Sequence, residues 1–216
     1  MKKRIFGVVL NTCLVFGGIS SAQAQLSMQT FSAFTACDAG FFVKLNEERP
    51  VWNGIAPLHS MGRYSWIAVS ERQSDSRTLN SVRFSAPLSL AGLNAYAYLD
   101  RIDEQEEQGR YYYWGFNIEG SADEVFDTLR PFIKDADRLR KLGDIYARTE
   151  VYDPEQGWEY VDTEIGPVGM SRTERVLIIE NDCEHEGMVC ISCSLQGNAP
   201  ETLMRMLRPD IGAEHK

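Results

Sequence analysis

The chain has 216 residues, and its 22 Lys+Arg stand against 31 Asp+Glu, a formal charge of −9. That balance sets aside DNA, RNA and anionic lipid, whose phosphates attract cationic patches. The length suits one sizeable core or two small ones, and beyond the N-terminus no run of about 20 apolar residues is long enough to span a bilayer.

Lys2, Lys3 and Arg4 open the chain, a mostly apolar run covers residues 5–16, and Ala22-Gln23-Ala24 follows. Basic, apolar, then small-x-small is the order of a secretory signal peptide, here over residues 1–24 with cleavage before Gln25. Its character is bacterial and implies export to a periplasm or beyond. Cys13 follows Leu10-Asn11-Thr12, a poor setting for lipid attachment. Removing the segment leaves 192 residues and moves the charge to −12, because three basic groups and no acidic ones leave. An acidic exported surface points to solubility, a cationic partner or calcium.

Residues 25–80 form an N-terminal segment expected to pack on the main domain. Residues 25–36 are rich in Ser, Thr and Gln and read as a loose leader. Residues 41–45 and 64–70 read as strands, around a loop holding Pro50, Gly54, Pro57 and Gly62. A polar connection follows to residue 80.

From residue 81 the chain repeats itself in kind, as units 81–143 and 144–216. Residues 111–120 and 188–197 are each a strand ending in Glu-Gly or Gln-Gly. Each leads into a helix start, with Ser121 and Asn198 as N-caps and Glu124 and Glu201 three places on. Both helices run into Leu-Arg-Pro, at 129–131 and 207–209. Upstream, Pro87 and Pro167 open short turns, strands are expected at 93–102 and 175–182, and charged hairpin loops at 103–109 and 183–187. Residues 134–142 read as a short helix stopped by Gly143, and 145–152 and 158–163 as strands around a turn. The fold class is α+β: an antiparallel sheet with helices on one face, built from two β-β-β-α repeats.

Alternation assigns the faces. Tyr112, Trp114, Phe116 and Ile118 share one side of their strand, and Val189, Ile191, Cys193 and Leu195 are their counterparts. Both rows face the helices. If Leu93, Ala95, Ala97 and Leu99 also face the core, Tyr96 and Tyr98 point away with Tyr111 and Tyr113. These four tyrosines form a candidate binding face, large in contact area and polar at the tips. The adjoining loop adds Asp103, Glu104, Glu106 and Glu107.

Four cysteines remain after cleavage: Cys37, Cys183, Cys190 and Cys193. An even number in an oxidising compartment suggests two disulfides. Cys190 and Cys193 sit on opposite sides of an extended segment with Cα atoms roughly 10 Å apart, too far to bridge. The preferred pairing is Cys183–Cys190 across a hairpin, with Cys37–Cys193 tying the N-terminal segment to the sheet. Zinc, with His185 as a further ligand, is a rival, but the two-knuckle spacing of structural zinc sites is missing.

Acidic residues crowd two loops, one with Asp100, Asp103, Glu104, Glu106 and Glu107 and one with Asn181, Asp182, Glu184 and Glu186. Neither has the spacing or central glycine of an EF-hand. His59, His185 and His215 lie near no recognisable nucleophile turn, and no phosphate loop or His-Glu-x-x-His helix occurs. No cofactor, metal or catalytic residue is assigned. The favoured function is a non-catalytic exported protein that binds a macromolecule, inhibitor- or immunity-like, its partner a protein or envelope polymer. The alternatives are an exported hydrolase using a carboxylate pair on an envelope polymer and a small-ligand carrier.

Overall fold

The structure is a computed structural model and describes residues 21–73, 80–105, 109–162, 172–181 and 186–211. The elements in chain order are α1 (Ser21–Phe34), α2 (Gly40–Glu47), α3 (Arg49–Trp52), β1 (Leu58–Met61), β2 (Tyr64–Ile67), β3 (Ser81–Leu90), β4 (Leu93–Gln105), β5 (Gly109–Glu119), α4 (Ala122–Leu129), β6 (Arg140–Leu142), β7 (Ile145–Asp153), β8 (Gly157–Val161), β9 (Thr173–Asn181), β10 (Met188–Gly197) and α5 (Glu201–Leu207). β1 and β2 make a separate hairpin. The other strands form one eight-stranded antiparallel sheet in the order β3-β4-β5-β10-β9-β7-β6, with β8 also on β7. The α+β class, with helices against one face of an antiparallel sheet, is what the alternation pattern implies.

The centre of the sheet is the β5–β10 pair. Its register sets Tyr112 against Leu195, Trp114 against Cys193, Phe116 against Ile191 and Ile118 against Val189. All eight are buried. Burying each large apolar side chain is worth about 1.5–3 kcal/mol, so this double row is a major part of the core. Gly115 lies between two of its members for a steric reason: a Cβ there would come within 2.2 Å of the Ile191 carbonyl oxygen. From this seam the order runs outward as β5-β4-β3 on one side and β10-β9-β7 on the other.

The N-terminal segment shares this core. Phe34 and Phe41 meet the Phe116 ring edge-on at 4.9 and 6.1 Å, and Phe31 lies 6.4 Å from it. Here the structure corrects two expectations. Residues 25–34 belong to helix α1 and residues 35–36 to the turn after it, not to a loose leader. Residues 41–45 are helical, within α2, because Phe41, Phe42 and Leu45 fit a helical stripe and all three are fully buried. A short apolar run does not by itself separate periods of 2 and 3.6.

Two further expectations change. Residues 134–142 hold a single turn at Ala136–Arg138 and then strand β6. Asp135, at φ 52°, takes a left-handed conformation that a continuous helix does not allow. Ser121 caps α4, accepting from the Glu124 amide at 3.3 Å. Asn198 does not cap α5: Pro200 stands at the cap, and the Asn198 carbonyl accepts from the Thr173 hydroxyl at 2.7 Å.

Cys37, in the corner between α1 and α2, bonds to Cys193 on β10, with Cα atoms 5.4 Å apart. The bridge closes a span of 156 residues. A second tie lies beside it, where Arg148 donates to the Thr35 carbonyl at 2.7 Å and to the Lys134 carbonyl. Cys190 is buried. Cys183 lies outside the described residues, and with it the Cys183–Cys190 pairing.

Candidate functional site

The site follows from an irregularity in β4. Ala95 pairs with Ile118 and Ala97 with Asn117, so Tyr96 is an extra residue, a β-bulge. Side chains alternate along a strand, so one inserted residue reverses the facing of all that follow. After the bulge Tyr98, Asp100 and Ile102 pair with Phe116, Trp114 and Tyr112 on the helix side.

This corrects the four-tyrosine face. Tyr98 is fully buried, stacked on Phe41 at 6.1 Å and edge-on to Phe116 at 5.5 Å. Burial, then the neighbouring Asp100, holds its phenol well above the ordinary value. Tyr111 is buried too and stacks on half-buried Tyr113 at 6.1 Å. Tyr113 is pushed up to about 12 by burial and by Asp103. Arg101 lies over its ring at 5.2 Å and pairs with Asp103 at 2.8 Å. Tyr96 is partly exposed and donates to Glu119 at 2.9 Å. Glu104 is exposed and pairs with Arg110 at 3.0 Å. Glu106 and Glu107 lie outside the described residues.

The same bulge delivers a carboxylate into the core. Asp100 is fully buried, and two arginines from distant parts of the chain meet it. Arg208, just past the end of α5, brings Nη2 within 2.9 Å of both its oxygens. Arg72 Nε lies 3.0 Å from Oδ2. Asp210 completes the group: Arg208 Nε donates to it at 3.0 Å and Arg72 Nη2 at 2.9 Å. The Arg208 guanidinium also lies 4.5 Å over the Trp114 ring. Two cations and two anions share the interior, so the group is neutral as a whole. Burial lifts the Asp100 carboxyl above its ordinary value against the pull of both arginines. Burial acts on Asp210 too, but Arg208 and Arg72 outweigh it and leave that carboxyl lowered.

Beside this network lies a cavity of about 380 Å³. Glu201, Met204 and Arg205 lie at helical spacing and give α5 one face toward it, and Arg208 follows just past its end. Arg110 and Tyr112, two apart on β5, supply the other wall, and Ala199 and Ile211 close the ends. Arg110 and Arg205 are exposed, and Arg205 pairs with Glu201 at 2.5 Å. Hydrogen bonds that the Arg110 guanidinium shares with Tyr112 and donates to Glu104 raise it above its ordinary value. Neither Asp100 nor Asp210 lines the cavity. Among the described residues no three His, Cys, Asp or Glu side chains gather as metal ligands.

Nothing in the sequence pattern singles out Arg72, Arg208, Asp210, Arg110 or Arg205. No local signal marks Asp100, which is followed by Arg101 and the acidic residues Asp103 and Glu104 on the same strand. Comparisons with protein-family models, curated proteins and solved structures return no match for this chain.

Proposed function

We propose that the protein is exported through its N-terminal segment and binds a small ligand without transforming it. The observation supporting this best is the cavity between β5 and α5, where each wall carries both arginine and apolar side chains. Its volume falls within the usual range for ligand pockets. The hydrolase reading asks for two carboxylates converging in a cleft. Asp100 and Asp210 do converge, but each is tied to Arg72 and Arg208 and shut away from solvent.

One observation favours a macromolecular partner, a protein or envelope polymer, as the second reading. Tyr113, Asp103 and Glu104 stay at least partly exposed near the end of the β4–β5 hairpin. Native mass spectrometry of the protein isolated from an exported fraction tests both. A small-molecule adduct is the expected result. Capture of a macromolecule, abolished by Tyr113→Ala, would replace it with the second reading. Recovery from cytoplasm with residues 1–24 intact would contradict export.

A further inference from the structure

The chemistry of the cavity walls identifies a class of ligand, an inference that rests on the binding reading above. In a chain of formal charge −9, this cavity is lined by two exposed arginines, each paired with a glutamate. Their present partners are weakly held. The Arg110–Glu104 and Arg205–Glu201 pairs are more than half exposed on both sides. Such pairs contribute little and exchange readily for another anion. Guanidinium forks match the oxygen spacing of carboxylate and phosphate.

Deeper in, Arg208 is fully buried. Its Nε and Nη2 are taken by Asp100 and Asp210, while Nη1 has no hydrogen-bond partner among the described residues. Tyr112, Met204 and Ile211 supply apolar surface on the same walls. We propose that the cavity takes an amphipathic anion. A carboxylate or phosphate monoester head meets Arg110 and Arg205, and a short apolar body lies along Tyr112, Met204 and Ile211. At about 380 Å³ the space is near the small end for ligand sites, which restricts the body to a short chain or a compact ring system. Glu201 competes with the ligand head for Arg205.

The test is calorimetric titration of the full processed chain with decanoate, decyl phosphate and decyltrimethylammonium. Tryptophan fluorescence is followed in parallel, because Arg208 lies over the Trp114 ring. One or both anions should bind at least tenfold more tightly than the cationic analogue, and the tighter anion identifies the head group. Arg110→Gln and Arg205→Gln should each weaken binding about tenfold or more, and Glu201→Gln should tighten it. Circular dichroism confirms that these surface variants stay folded. Equal affinity for the cationic analogue, or unchanged affinity in the double arginine variant, would overturn the anion class and leave the cavity as a binding site. Failure of every probe, with no adduct on the isolated protein, would remove both.

Discussion

Arg208 Nη2 stands 2.9 Å from both oxygens of Asp100, a residue 108 positions earlier in the chain. This contact joins the end of the last helix to the interior of β4. It also fixes the floor of the cavity, because Arg208 contributes to both. Removing one member leaves an uncompensated buried charge, which typically costs about 3–5 kcal/mol. Asp100→Ala and Arg208→Ala should each lose about that much in urea unfolding. The paired change Asp100→Leu with Arg208→Met should recover a large part of it. Single variants with wild-type stability would show that the network does not hold the fold.

How much of this was legible in sequence depends on where the pattern is regular. The β5 and β10 rows keep strict alternation from Tyr112 to Ile118 and from Val189 to Leu195, so their shared face could be read directly. β4 alternates just as cleanly on paper, yet Tyr96 is a bulge and every later residue turns over. Nothing local marks that insertion. The paired Leu-Arg-Pro segments make the same point. Arg130 is exposed and pairs with Asp137 at 2.7 Å, whereas Arg208 is buried against Asp100. Identical triplets diverge because the partner lies elsewhere in the chain, and one sequence carries no record of such distant pairings.

Gly115 has no room for a side chain, since the β10 backbone occupies the place of its Cβ. Gly115→Ala should lower stability by about 1–3 kcal/mol, the usual range for overpacking a core, seen as a lower thermal midpoint. An unchanged midpoint would mean that the β5–β10 seam opens without penalty.

The Cys37–Cys193 bridge closes a long span, and loops of that size are stabilised by about 2–5 kcal/mol. Reduction, or Cys193→Ser, should lower the urea midpoint and raise hydrogen exchange in the α1–α2 corner. Arg148 also holds that corner, so exchange should stay slower there than in a variant lacking both ties.

Glu48 provides a pH signature. It is buried, accepts from the Thr30 hydroxyl at 2.5 Å, and its second oxygen has no hydrogen-bond partner among the described residues. Burial raises its carboxyl above the ordinary value, with Thr30 pulling the other way. A raised carboxyl binds its proton more tightly in the folded state. Its contribution is therefore complete below the unfolded value of about 4.3 and declines as pH rises through the folded value. Glu48→Gln should remove that decline and leave the variant more stable than wild type at pH 7. A variant less stable than wild type at pH 7 would mean that the carboxylate is held in its charged form.

On the binding reading proposed above, the space between β5 and α5 receives the ligand. The direct measurement is NMR titration with small-molecule extract from an exported fraction, following the arginine Nε–H and tyrosine ring resonances together. Saturable shifts are expected at Arg110 and Arg205 while Tyr96 and Tyr113 stay still. Shifts confined to Tyr96 and Tyr113, with both arginines unmoved, would contradict it.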